Sequence, residues 1–191
     1  MIRLIVVGAS FGGLDAISTL LLGLPRELPV PIVVTLHIGT HSISHFIRRL
    51  NNESHFAVCE AEDKTFMKNN TVYFAPPNYH LMVEKDFTLN LSADEKINSS
   101  RPSIDVLFET AAWAFGPEVI GVLLTGANND GAAGLKAIHD SGGITIVQDP
   151  ITAVSGIMPQ AAVNLFKPDS ILPVEYISRK IYSLIGHDVN K

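Results

Sequence analysis

A serine set between glycines at the end of an apolar run is well placed to act as a nucleophile. Here the run is Ile2-Arg3-Leu4-Ile5-Val6-Val7, the turn is Gly8-Ala9-Ser10-Phe11-Gly12-Gly13, and an apolar-periodic stretch fills 14–22. This reads as strand, tight turn and helix, with Ser10 at the apex, as in the Gly-x-Ser-x-Gly loops that lift a hydroxyl clear of a sheet edge. Small neighbours let a substrate carbonyl approach. The helix that follows aims its free N–H groups and positive dipole end at the place where an oxyanion would form. The same loop can also hold a phosphate or simply close a turn, so alone it leaves these readings open.

Two more reactive side chains fall just past strand-like runs. His37 ends the apolar run Pro31-Ile32-Val33-Val34-Thr35-Leu36. Asp130 follows the run at 119–124, within Thr125-Gly126-Ala127-Asn128-Asn129-Asp130-Gly131. Ligands of open α/β sheets gather at the carboxyl ends of strands. A serine, a histidine and an acid at such ends supply a nucleophile, a general base and the carboxylate that orients it. Each also has a plainer role: His37 as a packed strand-end histidine, Asp130 as a cap on the helix after it, Asn128 and Asn129 as turn residues. Their convergence on one edge favours the triad. His41 and His45, four apart, lack the carboxylate that would complete a metal site and read as solvated or capping residues. His55, His80, His139 and His187 show no partner pattern.

These residues need a scaffold, and short strands alternating with helical stretches predict a parallel sheet covered by helices on both faces. Strands are expected at 71–75, 119–124 and 144–147. Helices are expected at 42–50, from Pro102-Ser103 through 113, at 131–140, after Met158-Pro159, and at 174–185 with Ile177, Ile181, Leu184 and Ile185 inward. The runs 80–84 and 87–91, separated by Lys85-Asp86, predict an antiparallel hairpin with a two-residue turn. The polar stretch 92–101 is the candidate loop or lid.

The 191 residues suit a single domain, and 47% apolar against 17% charged residues permits a large core. A net charge of −5 without a Lys/Arg cluster argues against nucleic acid as a partner. The lone Cys59 excludes an internal disulfide framework and a cysteine-based zinc site. The first apolar run is too short for a signal peptide, and no stretch approaches the roughly 20 apolar residues of a membrane span. A cytoplasmic protein without membrane insertion is expected.

At Ser10, His37 and Asp130 the chain resembles the catalytic domain of the CheB-type chemotaxis protein-glutamate methylesterases. The resemblance rests on Gly8-Ala9-Ser10-x-Gly12-Gly13, Arg101-Pro102-Ser103-Ile104-Asp105, Leu124-Thr125-Gly126 with Asp130-Gly131-Ala132, Gln148-Asp149, and Met158-Pro159 with Ala161-Ala162. It implies a three-layer α/β/α domain with a mostly parallel sheet of about seven strands plus the antiparallel hairpin. It further implies a Ser–His–Asp hydrolase with no metal or cofactor, acting on γ-glutamyl methyl esters of chemoreceptor signalling helices, with glutamine deamidation as a second activity. Carried over by position, Ser10 is the nucleophile, His37 the base and then the acid, and Asp130 the orienter. The backbone N–H groups of Phe11 and Ala127 become the oxyanion donors. Phe11, Leu36 and Ala127-Asn128 depart from the family's usual residues and bear on specificity. No receiver domain precedes the first strand, so any regulator is expected to act in trans. Two alternatives stay open. One is an inactive adaptor of the same fold. The other is a nucleotide- or phosphate-binding Rossmann-like module, which would lack the Gly-x-Gly-x-x-Gly spacing and the ribose-binding acid at the place His37 holds.

Overall fold

A computed structural model describes residues 1–38 and 42–186. His41 and His187 lie outside the described residues. The chain runs β1 (Leu4–Ala9), α1 (Gly13–Leu22), β2 (Ile32–Leu36), α2 (Ser44–Glu53), β3 (Ala57–Glu60) and β4 (Thr71–Phe74). A hairpin of β5 (His80–Val83) and β6 (Leu89–Ser92) follows, then α3 (Ile104–Phe115), β7 (Val119–Leu123) and α4 (Ala132–Asp140). The last elements are β8 (Ile144–Gln148), α5 (Ile157–Leu165), β9 (Ser170–Leu172) and α6 (Val174–Ile185).

Seven strands form one sheet in the order β3-β4-β2-β1-β7-β8-β9, and every pairing in it is parallel. A parallel strand covered on both faces must be apolar at successive positions, and β1, β2 and β7 are buried throughout. Their side chains alternate between two cores. Ile5, Val7 and Ala9 pack with Ile17 and Leu20 of α1, Leu50 of α2, and Ile177 and Ile181 of α6. Leu4 and Val6 pack with Leu107 and Phe108 of α3, Leu135 of α4, Met158 of α5 and the hairpin residues Leu81 and Leu89. The expected α/β/α layering is therefore present. The connections leave β1 in one direction toward β2 and resume beyond it at β7, which places the switch point between β1 and β7.

Several details differ from the sequence reading. The hairpin turn has three residues, not two. Phe87 N–H closes a turn onto Glu84 O at 3.1 Å, and Phe87 itself takes the left-handed conformation at φ 71°. This is a type I turn followed by a bulge, which matches strand twist as the two-residue primed turns do. The edge strands β3 and β9 were not anticipated. At four and three residues, with mixed exposure, they lack a readable apolar period. Helix α3 starts at Ile104, because Ser103 is its N-cap and accepts from Val106 N–H at 3.4 Å.

Gly8 shows how tightly the β1 end is held against α3. A Cβ built there would lie 2.3 Å from Ile104 Cγ2. Gly8→Ala is expected to cost about 1–3 kcal/mol by overpacking. In urea unfolding, the double variant with Ile104→Ala should lose less stability than the sum of the single changes. Additive losses would show that this contact is not the cause.

Candidate active site

Register alone brings the first two reactive groups together. Ala9 of β1 pairs with Leu36 of β2, so Ser10 and His37 are the next residues on neighbouring parallel strands. The His37 N–H donates to Ala9 O at 3.0 Å, which carries the ladder one step past the strands. On the other side, Ser10 N–H donates to Thr125 O at 2.9 Å beyond β7. Thr125 is fully buried, and its hydroxyl donates to Phe11 O at 2.9 Å while accepting from Ser155 N–H at 2.9 Å. The Gln148 side chain in turn accepts from Thr125 N–H at 2.8 Å. The serine loop is thus clamped from both flanks. Gly12 closes it at φ 78°, a conformation that favours glycine.

Asp130 arrives from the β7–α4 loop and is completely buried. Its Oδ2 lies 2.9 Å from His37 Nε2 and accepts from Ile104 N–H at 2.7 Å. Its Oδ1 accepts from Ser103 Oγ at 2.8 Å, Asp105 N–H at 3.2 Å and Asn98 Nδ2 at 3.3 Å. The plainer role foreseen for this residue, capping the helix after it, belongs to another side chain. Asp130 caps α3, while Asp105, in the first turn of α3, accepts from Gly131 and Gly134 N–H at 2.9 and 2.7 Å and so caps α4. Capping and contact with His37 coexist in one carboxylate.

The two acids respond oppositely to their setting. Burial pushes Asp130 up, but donation from His37, Ile104 and Ser103 outweighs it and holds the carboxyl below the usual range. Burial raises Asp105 to about 6, against the pull of the Gly134 and Gly131 N–H groups and with help from the Asp130 charge. Asp130 is therefore a fixed negative charge facing His37 across the neutral range.

The His37 ring is oriented with Nε2 toward the acid, in a close contact whose alignment falls short of a straight hydrogen bond. Nδ1 is then the nitrogen left for Ser10, the reverse of the usual Ser–His–Asp assignment. Among the described residues no hydrogen bond joins Ser10 Oγ to the ring. Such bonds commonly tighten only when substrate is present. The N–H groups of Phe11 and Ala127 make no hydrogen bond within the described residues, so both remain available as donors. The Phe11 side chain is 64% exposed.

Sequence reasoning had missed three further participants. Ser103 and Asn98 hold Asp130, and the buried His80 accepts from Ser103 N–H at 3.2 Å through Nδ1. Its Nε2 lies 3.0 Å from Glu95 O, so Nε2 carries the proton and donates. The 92–101 stretch runs along the rim as expected. It forms a tight turn in which Ile97 and Ser100 exchange backbone bonds of 3.2 and 2.8 Å. Lys96, Ser99, Ser100 and Arg101 wall a cavity of about 160 Å³ beside His37.

Comparison with known proteins adds a family. The family model described as CheB methylesterase matches residues 5–181. A Leptospira interrogans protein, provisionally named a protein-glutamate methylesterase/protein-glutamine glutaminase, is 48% identical over 174 residues, covering 91% of this chain and 90% of its own. The protein-glutamate methylesterase FrzG of Myxococcus xanthus is 40% identical over 91% of this chain and 52% of its own length. The crystal structure of the Thermotoga maritima CheB methylesterase catalytic domain superposes with a TM-score of 0.92 at 31% identity, covering 97% of this chain and all of that one.

The opposed carboxylates predict a pH signature. The folded pKa of Asp105, about 6, exceeds the unperturbed aspartate value, so the folded protein binds the extra proton between about pH 4 and 6. Relative to Asp105→Asn, the wild type should therefore lose stability as pH rises across that window and stay level above it. Asp130 works in the opposite sense, since its contribution is lost on acidification below about pH 4. Urea unfolding across this range checks the sign, and a flat difference would show that Asp105 does not titrate there. Asp130→Ala, which strands the donors at the start of α3, is expected to cost about 2–4 kcal/mol.

Proposed function

This chain belongs to the CheB methylesterase family, and on that premise we propose that it is a Ser–His–Asp hydrolase of γ-glutamyl methyl esters on chemoreceptor signalling helices. The observation that carries the reading is the position of Asp130: fully buried, held low in pKa, and 2.9 Å from a histidine whose strand end adjoins Ser10. A plain structural cap would have no reason to reach His37. The family membership and the names of the relatives supply the substrate class.

In the acylation step Ser10 Oγ attacks the ester carbonyl while His37 takes the hydroxyl proton. The negative charge on the carbonyl oxygen is met by the Phe11 and Ala127 N–H groups. Asp130 stabilises the imidazolium and keeps the ring in place. As the tetrahedral intermediate collapses, the C–O bond to methoxide breaks and His37 returns its proton, so methanol leaves and a glutamyl ester of Ser10 remains. Water then attacks this ester, giving its proton to His37, and the Ser10 oxygen recovers that proton as the glutamate carboxylate departs. With a glutamine side chain the same sequence releases ammonia, which is deamidation. The setting that goes with this substrate is the cytoplasm. Among the described residues no helix is long and apolar enough to cross a membrane.

Methanol release from methylated receptor fragments is the direct assay. Ser10→Ala and His37→Ala should each lower kcat by several orders of magnitude, and combining them should add little, because both disable one step. A fluorophosphonate should leave one adduct, mapped by mass spectrometry to Ser10. Undiminished hydrolysis by Ser10→Ala would refute the mechanism, whereas no methanol release by the wild type would favour the inactive-adaptor reading.

A further inference from the structure

The cavity beside His37 carries a chemistry that the hydrolytic step does not use. Its walls are His37, Ile38, Asn78, Lys96, Ser99, Ser100, Arg101 and Pro102. Two are cations and none is a carboxylate, in a chain whose net charge is −5. Among the described residues neither cation meets a carboxylate. The ion pairs among the described residues join Arg3 to Glu118, Arg49 to Glu53 and Lys136 to Asp140, beside the His37–Asp130 contact. Arg101 spends Nη1 on the Ala93 and Asp94 carbonyls, at 2.6 and 2.8 Å, while its buried Nε has no partner among the described residues. Carbonyls hold a guanidinium in place but leave its full charge in force. Asp94 and Glu95, the acids of the same stretch, are not among the walls.

The wall is also fixed relative to the triad. Asn98 and Ser99 both take left-handed conformations, at φ 49° and 63°, which makes the 97–100 turn a type I′ hairpin turn. At its tip Asn98 Nδ2 donates to Asp105 Oδ2 at 2.9 Å and to Asp130 Oδ1 at 3.3 Å. The segment that bears the cations is therefore pinned to the acid that orients His37. Asn78, Ser99 and Ser100 add uncharged donors around the same space.

We infer that this cavity is a carboxylate subsite: it takes an acidic side chain that flanks the esterified glutamate, so that the enzyme prefers esters embedded in acidic segments. This inference rests on the methylesterase reading and names its substrate class more closely. Lys96 is exposed and enters no ion pair among the described residues, which makes it the handle that can be changed without disturbing the fold. Arg101 anchors the segment through two carbonyls and is the poorer probe for that reason.

The test compares two peptides that each carry one γ-glutamyl methyl ester. In the first the flanking residues are glutamates, and in the second each of these is glutamine. The wild type should favour the acidic peptide by about 2- to 5-fold in kcat/KM, the size of one solvent-exposed ion pair, and the difference should lie in KM. Lys96→Gln should remove most of the preference and Lys96→Glu should reverse it. Both variants should leave hydrolysis of a small neutral ester, p-nitrophenyl acetate, unchanged. Raised salt should shrink the preference in the wild type. A preference that is absent in the wild type, or that survives in Lys96→Glu, overturns the subsite. Peptide binding to Ser10→Ala, followed by fluorescence anisotropy, reads the subsite without turnover. Lys96-dependent binding of the acidic peptide with no hydrolysis by the wild type would refute the esterase and keep the subsite. Equal binding of the two peptides would refute the subsite alone.

Discussion

The crossed capping of α3 and α4 by two aspartates is the constraint on which the rest of the site depends. Each helix begins with backbone N–H groups that need acceptors, and here each start is buried where water cannot serve. Asp130, from the loop before α4, satisfies α3, and Asp105, from the first turn of α3, satisfies α4. A carboxylate at a helix N-terminus is stabilised by both the donors and the dipole. The exchange therefore locks two helices to each other while fixing an acid next to His37. Two negative charges this close repel, which is one reason their pKa values move apart. The pair is held together by six backbone and side-chain donors, not by any cation. Asn98 contributes twice, bridging both carboxylates.

The proposed nucleophile, Ser10, is positioned on a different principle. Among the described residues no side chain hydrogen-bonds Ser10; its backbone is fixed by the parallel ladder on either side, and Thr125 closes the loop through Phe11 O. This suits the chemistry. A nucleophile must move toward a carbonyl carbon, and a hydroxyl tied up as a donor would be less free to do so. Asp130 carries a charge and is held in rigid, dry surroundings, since an electrostatic interaction gains strength where water is excluded. Rigidity is concentrated at Asp130 and eased toward Ser10.

The sheet, its two cores and the three reactive residues were readable from the chain because each has a local signal. Buried parallel strands are unbroken apolar runs, and Ser10, His37 and Asp130 each stand one to six residues past such a run. What escaped notice was everything that depends on contacts distant in sequence. Ser103 reads from sequence only as part of the opening of a helix, and its bond to Asp130 spans 27 residues. His80 lies in a hairpin strand with no local pattern to mark it, yet it meets Ser103 across 23 residues. The exchange of caps was invisible for the same reason: from sequence, an aspartate before a helix is expected to cap that helix. The strands β3 and β9 were missed on other grounds. Their short, half-exposed sequences are strands only because a neighbour offers an edge to pair with.

The 92–101 stretch shows why a polar segment at the rim need not be a loose lid. Its one large apolar residue, Ile97, is 43% exposed and anchors little, and seen alone the stretch would be expected to move. Three attachments prevent that: His80 Nε2 on Glu95 O, the Arg101 guanidinium on two carbonyls of the same stretch, and Asn98 on the buried aspartates. All are polar, and the last reaches into the catalytic acid itself. A substrate that leans on this rim therefore touches a structure continuous with Asp130. The side chains it meets there are set in place by the same bonds that orient His37. On the proposed reading, recognition and chemistry share one polar frame, and the glycine-bounded serine is the part of the site left free to respond.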